Sequence, residues 1–454
     1  MLPAGRGEIC GAQRGNAPQS GRLSADQRRG PGHRLIFLFT CRFIAMVAPI
    51  VSICIPTFNR SRYVVSLLES LVSQLEDFPY PYEIFIADNA SPDSTPEVVA
   101  SFSDRLPIRY HRHAENIGGY PNWQFVMTQA VGRYLVYLSD DDSLLGDQVA
   151  EIIAKMEADP ELVTVYAPWL MYDLVAQQQQ GQFYSVPQDL RIERGAHPVL
   201  LDHILRHHIF PEIQITRRDA FVSTMPRIND HAFLAFMHSS DYLTKGAVLI
   251  RQQPFYVAIT RYFDDEERVQ LGTDEVEHAW DRYRGGLEYM LARSGTALSA
   301  EERSGFHLRI QQMIAVRMSV AVRLRHLKAR NAIDTYYIAM RMKGMGYEHM
   351  LPVPLATLAS AAMFEFLYRD PEINRGMKQL VVVGDSSPDD RAFISRGADL
   401  PVHFVGDMSQ CAEMRDTVVL IRGAAPQVEF DGARALSHNV RIVLEDALLS
   451  KFGL

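Results

Sequence analysis

Three consecutive aspartates, Asp140-Asp141-Asp142, directly follow the apolar run Tyr134-Leu135-Val136-Tyr137-Leu138. Adjacent carboxylates repel one another, and the end of a buried strand gives them little room to spread into water. A divalent cation relieves that cost. Hard oxygen ligands suit magnesium or manganese, which keep several waters and share their coordination with substrate phosphates. A metal held there can stabilise the charge of a departing diphosphate. The plain alternative is a solvated turn, or a helix start over Ser143–Gly146 whose dipole favours acids. Asp88 ends a second apolar run, Tyr82–Ala87. An acid there accepts hydrogen bonds from a nucleobase or ribose hydroxyl, or else from its own loop backbone as an Asx turn.

These side chains converge only if the intervening elements bring them together. Ile50–Pro56 is a short β-branched run of the kind found in buried parallel strands, and Val64, Leu67, Leu68, Leu71, Val72 and Leu75 then recur at helical spacing. Further strands are expected over Tyr82–Ala87, Ile108–His111 and Tyr134–Leu138, with helices over Thr95–Phe102 and Asn122–Val131 between them. Repeated βα units predict an α/β fold, a mostly parallel sheet with helices on both faces. Ligands of such sheets bind beyond the carboxyl ends of the strands. That places Pro56-Thr57-Phe58-Asn59-Arg60, Asp88-Asn89 and Ser139–Asp142 on one rim.

Past Asp142 the pattern is mixed. Val163–Tyr166 and Ala247–Ile250 read as strands, and Gln177–Gln180 as a low-complexity loop. Residues 275–345 read as helical, with Met313, Val316, Val320, Leu324 and Leu327 as the apolar stripe. Arg317, Arg323, Arg325, Lys328 and Arg330 form an opposite basic face, a solvated surface or a contact for anionic lipid. Four further strand-like runs, at Leu380, Val402, Val418 and Val440, predict a small C-terminal α/β unit. Its Gly384-Asp385-Ser386-Ser387 turn matches no phosphate-loop pattern. The expected organisation is an unstructured extension over 1–46, an α/β domain over 47–270, helices over 271–345, a linker over 346–376 and the small unit over 377–454. The apolar stretch before Met46 reads as a signal or membrane anchor, but Arg42 breaks it, and a start at Met46 is at least an equal reading.

Composition narrows the function. With 46 Lys and Arg against 54 Asp and Glu, a net charge of −8 gives no basis for nucleic acid as a partner. The four cysteines are scattered with no CxxC pair, which speaks against a zinc site or a disulfide framework and fits a reducing compartment. His111, His113, His207 and His208 lack the spacing of metal ligands with a third partner and read as ordinary residues.

Val51–Arg60, Ile86–Asp93, Asn116-Ile117-Gly118-Gly119 and Tyr137–Asp142 together resemble, in order and spacing, the family 2 glycosyltransferases with the GT-A fold. The resemblance is firm over residues 48–150 and looser to 265. It implies a nucleotide-sugar donor, a glycan or lipid-linked acceptor, Mn2+ or Mg2+, and inversion at the anomeric carbon. It also implies cytoplasmic work on surface polysaccharide or glycoconjugate, at the inner face of the membrane. Pro56, Thr57, Asn59, Arg60, Asn116 and Gly118 would line the donor pocket, Asp88 would meet the base, and Asp140 would lie near the ribose or sugar. Asp141 and Asp142 are the metal candidates; Ser139 stands where many members carry another Asp, so the register of the acid run is open. Inverting transfer needs a base, commonly an acid just before a helix that precedes a strand. Asp241 in His238-Ser239-Ser240-Asp241-Tyr242 is assigned that role, against the alternative of an N-cap for a helix starting at Tyr242; Glu212 is held in reserve. A sugar nucleotidyltransferase and a non-catalytic sugar-nucleotide scaffold are the competing readings.

Overall fold

The computed structural model describes residues 48–224, 231–265, 276–328, 331–406, 415–423 and 439–452. The N-terminal extension and Arg330 lie outside them. The described residues form one compact unit. Its main sheet has eight strands in the order β3-β2-β1-β4-β10-β6-β11-β9. These are β1 Val51–Thr57, β2 Tyr82–Asp88, β3 Ile108–Arg112, β4 Tyr134–Tyr137, β6 Leu162–Tyr166, β9 Leu190–Ile192, β10 Gln214–Arg217 and β11 Ala247–Ile250. Strands β1 to β4 pair in parallel, and β6 pairs in parallel with β11. Between those groups runs β10, antiparallel to both β4 and β6. A four-stranded second sheet, β5-β12-β7-β8, lies beside the acid run: β5 Ser143–Leu144, β7 Trp169–Asp173, β8 Gln178–Gln182 and β12 Tyr256–Arg261.

Helices cover both faces of the main sheet. Helix α1, Ser61–Gln74, buries Val64, Leu67, Leu68 and Leu71, the residues whose spacing marks its apolar face. With Val149, Ile152, Ile153 and Met156 of α4 (Gly146–Ala158) they build the core of one face. Gly146 starts α4 where a Cβ would stand 1.9 Å from the Gln74 carbonyl oxygen, so only glycine lets α1 and α4 approach this closely. Between these two helices in the chain lie α2, Thr95–Ser101, and α3, Gly119–Gln129.

The opposite face packs against α5, His197–His207, short α6, Arg218–Val222, α7, Leu234–Leu243, and the long helices α8, Trp280–Arg293, and α9, Ala300–Leu327. Helix α9 opens on a capping box between Ser299 and Glu302. The C-terminal sheet is wholly parallel in the order β14-β13-β15-β16, from Gln379–Val383 (β13), Val402–Val405 (β14), Thr417–Ile421 (β15) and Val440–Leu444 (β16).

Three expectations fail here. Gln177–Gln180 is no loop: Gln178–Gln182 is β8, paired antiparallel with β7, because backbone pairing on an exposed edge tolerates glutamines. The helix near Asp241 begins at Leu234, not Tyr242. The stripe on α9 is out of phase. Its buried residues are Ile310, Met313, Ile314, Ala315, Met318, Ala321, Val322 and Arg325, while Leu327 is exposed. Neighbouring helices cover α9 on more than one side, so the buried arc takes in part of the basic face. Arg325 is buried against Thr335, His278 and Asp334, and Arg317 lies over the Phe210 ring. Among the described residues of that face, Arg325 is therefore withdrawn from the surface, while Arg323 and Lys328 stay exposed.

Glu83 ties the sheet together internally. Its carboxylate accepts from Ser52 Oγ (2.5 Å), Arg109 Nε (2.8 Å) and the Val131 amide (2.9 Å). Burial raises its pKa, but these donors outweigh burial and hold the carboxyl below its usual range. A depressed folded pKa contributes stability above the unfolded value and loses it as pH falls through the folded one. Glu83→Gln therefore lowers stability at pH 7 by about 1–3 kcal/mol. In denaturant titrations between pH 7 and pH 3 it flattens the acid limb of the stability curve; an unchanged limb would refute the assignment.

Candidate active site

The carboxyl ends of β1, β2 and β4 meet as the sequence requires. Thr57 Oγ1, at the end of β1, donates to Asp140 Oδ2 at 2.7 Å, and the Asn89 amide beyond β2 donates to the Thr57 carbonyl at 2.9 Å. Asn89 reaches on to the next segment. Its Nδ2 donates to Asn116 Oδ1, which also accepts from the Gly118 amide, while its Oδ1 accepts from the Ile117 amide. Gly118, at φ 92°, turns this chain into α3. Asn59 adopts φ 56°, and its amide donates to Ser91 Oγ, which folds the loop after β1 against the loop after β2. Thr57, Asn59, Arg60, Asn89, Asn116, Gly118 and Asp140 thus form one connected rim.

Asp88 is fully buried and fully engaged. Its Oδ1 accepts from the Ser91 amide at 2.9 Å, the Asx turn weighed above. Its Oδ2 accepts from the Tyr110 hydroxyl at 2.5 Å and lies 3.4 Å from Arg112 Nε. Burial and this bond push the Tyr110 phenol above its ordinary value.

The three aspartates occupy different environments. Asp140 is buried; burial and the neighbouring Asp141 charge push its carboxyl up to about 7, against the opposing bond from Thr57. Asp141 keeps partial exposure, accepts from Ser139 Oγ at 2.8 Å and lies 3.6 Å from Arg60 Nη1. Asp142 pins the second sheet. Its Oδ2 accepts from the Tyr256 hydroxyl at 2.7 Å and its Oδ1 from the Ile259 amide at 2.9 Å, while Tyr256 Oη also accepts from the Ser139 amide. The second strand contact in this region, β5 on β12, continues the same clasp. Tyr256 and Ile259 are therefore site residues that the sequence hid: they lie more than a hundred positions downstream, and no local pattern marks a hydroxyl that bonds so far back.

Among the described residues no cluster of three or more His, Cys, Asp or Glu is arranged to hold a metal. The donor set nevertheless fits magnesium or manganese, which need one or two carboxylates when a substrate diphosphate supplies further oxygens. With Asp142 committed to Tyr256 and Ile259, Asp141 is the better placed of the two metal candidates.

Asp241 lies in the last turn of α7, and Thr244–Gly246 carry that end into Ala247, which pairs with Leu162 at the amino end of β6. That end of α7 therefore lies toward the amino ends of β6 and β11, and Asp241 is no N-cap. Its carboxylate accepts from Tyr289 Oη at 2.8 Å and lies 3.8 Å from Arg293. The acid nearest upstream of α7, Asp230, lies outside the described residues. Glu212 is placed differently. Because β10 runs antiparallel to its neighbours, with Gln214 opposite Tyr166 and Ile215 opposite Val136, the chain entering β10 arrives at the rim. There it lies beside the chain that leaves β4 for the acid run.

These environments separate the adjacent acids by experiment. Asp142→Ala, which orphans the Tyr256 hydroxyl and the Ile259 amide, costs about 1–3 kcal/mol in chemical denaturation. Asp141→Ala leaves the midpoint near that of the parent. Equal stability of the two variants would overturn the division of roles.

Comparison with known proteins agrees with this geometry. The family model of glycosyl transferase family 2 matches residues 52–222. Abequosyltransferase RfbV of Salmonella typhimurium is 34% identical over 115 residues, 25% of this chain and 34% of that protein. Poly(ribitol-phosphate) beta-N-acetylglucosaminyltransferase TarS of Staphylococcus aureus is 31% identical over 93 residues, 20% of this chain and 16% of its own. The chain thus spans only about a third of the length of the first relative and less of the second. A crystal structure of S. aureus TarS 1–349 with UDP-GlcNAc aligns over 70% of this chain and 84% of that one, at 14% identity and a TM-score of 0.45. The segment that matches the model of glycosyl transferase family 2 holds β1 to β4, the connected rim and the acid run.

Proposed function

We propose that the protein transfers a sugar from a nucleotide-diphosphate donor to a hydroxyl of a glycan or lipid-linked acceptor, with inversion, in the assembly of surface polysaccharide or glycoconjugate. The observation that carries this reading is the convergence of Thr57, Asn89 and Asp140 from separate strand ends onto one hydrogen-bonded rim. That rim offers backbone and side-chain groups to a nucleotide, with Pro56, Thr57, Asn59 and Arg60 on one wall and Asn116 and Gly118 on the other. Buried Asp88 acts by fixing the loop from Asn89 to Ser91 on which the base rests. Asp140 lies toward the sugar and Asp141 toward the diphosphate.

Mn2+ or Mg2+ bound at Asp141 would supply charge neutralisation for the leaving diphosphate. Arg60, 3.6 Å from Asp141, adds a fixed positive charge at the same end. The acceptor oxygen forms a bond to the anomeric carbon from the face opposite the phosphate. The anomeric carbon–oxygen bond breaks, its electron pair leaves with the nucleoside diphosphate, and the hydroxyl proton passes to a carboxylate. Glu212, on the rim, takes the base role in place of Asp241.

Thermal-shift assays with a panel of nucleotide sugars provide the test. One donor raises the melting temperature only when Mn2+ or Mg2+ is present, as mass action requires of a ligand selective for the native state. Asp141→Asn removes that metal dependence and lowers transfer on the order of 10^2–10^3-fold. Release of nucleoside diphosphate supports sugar transfer, whereas release of pyrophosphate would make the protein a nucleotidyltransferase. Absence of a metal-dependent shift with every donor would refute the proposal.

A further inference from the structure

Beyond the carboxyl end of β6, five aromatic and charged side chains gather around Glu212. Trp169, the first residue of β7, stacks on Phe183 with ring centres 4.3 Å apart and planes 12° from parallel. Phe183 is 38% exposed, so part of the stacked ring is open to solvent. Tyr184 packs edge-on to Trp169, and Phe210 edge-on to Phe183. Arg317, from α9, places its guanidinium 4.3 Å from the Phe210 ring centre and 5.9 Å from that of Phe183. Glu212 exerts its charge on both Arg317 and Tyr184.

Two features of this group point to a polar ligand. The Tyr184 hydroxyl, on a side chain only 6% exposed, has no hydrogen-bond partner among the described residues, and neither does Arg317 Nε. Buried donors left unpaired each cost about 1–3 kcal/mol, a penalty that folded proteins rarely carry without use. An exposed flat ring beside unspent N–H and O–H donors matches a pyranose. The C–H face of the sugar covers apolar area, and its hydroxyls satisfy the polar groups. The position agrees, since Trp169 pairs across the sheet with Tyr256, whose hydroxyl holds the acid run.

We propose that the Trp169–Phe183 stack, with Tyr184 and Arg317 as hydrogen-bond donors, is a subsite for a pyranose ring of the acceptor, holding its hydroxyl toward Glu212. The inference rests on the transferase reading for the word acceptor. The sugar-binding surface itself does not depend on that reading. It also gives the helices after the family segment a part in recognition, because Arg317 comes from α9.

The test uses saturation-transfer NMR on the full chain with methyl pyranosides of glucose, galactose, mannose, N-acetylglucosamine, rhamnose and glucuronic acid. The expected result is transfer to ring C–H protons of at least one pyranoside. Affinity falls at least about tenfold in Phe183→Ala and in Arg317→Gln, and Phe183→Tyr, which keeps the ring, retains binding. The melting temperature and the metal-dependent shift with nucleotide sugar stay at parental values in Phe183→Ala. No transfer from the parent to any pyranoside, or undiminished transfer in Phe183→Ala, would overturn the subsite. Loss of pyranoside binding alone leaves the donor reading intact. Pyranoside binding without any metal-dependent donor shift sinks the transferase reading and keeps the sugar site.

Discussion

The Tyr256 hydroxyl is the point on which the arrangement turns. It donates to Asp142 and accepts from the Ser139 amide, so one oxygen fixes both flanks of the acid run. The ring is fully buried, and burial together with the Asp142 charge raises its pKa far above the ordinary range, so the phenol remains a donor at any physiological pH. Three successive carboxylates have no intrinsic reason to adopt different roles. This clasp gives them one: Asp142 is drawn into the second sheet, Asp140 is drawn under Thr57, and Asp141 is left at the edge.

Division of labour of this kind appears across the rim. Asp88 has the buried position and saturated bonding of a scaffold residue, while its neighbour Asn89 bonds Thr57 through its backbone amide and Asn116 and Ile117 through its side chain. The rigid groups are those that descend into the core, and the groups left for ligand chemistry are carried on them. A preorganised site needs that support, because side chains held only by solvent cannot keep catalytic geometry.

The sequence was most legible where structure is local and repetitive. The strands β1, β2, β4, β6 and β11 follow from β-branched runs, α1 from its spacing, and the shared rim from the rule that parallel strands end together. Legibility failed where long-range pairing overrode local signals. The glutamines of β8 have no strand-like composition and are held by pairing with β7. Strand β10 carries Gln214 and Arg217 and reads as nothing in particular, yet it sits between β4 and β6. Missing it concealed which acid reaches the rim. Asp241 has the right neighbours in sequence, a polar turn, a helix and then a strand, but it lies in the last turn of its helix rather than before the first. The α9 stripe erred because a helix packed on several sides has no single apolar phase.

The reversed direction of β10 has a consequence for how such a protein diversifies. In a wholly parallel sheet every rim segment leaves a strand and must continue into a helix, so changes to it disturb the packing that follows. The segment from His208 to Ile213 instead enters a strand from a helix that ends in a left-handed residue, His208 at φ 51°. Ile209, Phe210 and Ile213 pack that segment into the core, so change there is confined to the positions between them, with β1, β2 and β4 left in place. One half of the rim can therefore vary side chain by side chain while the other half stays fixed.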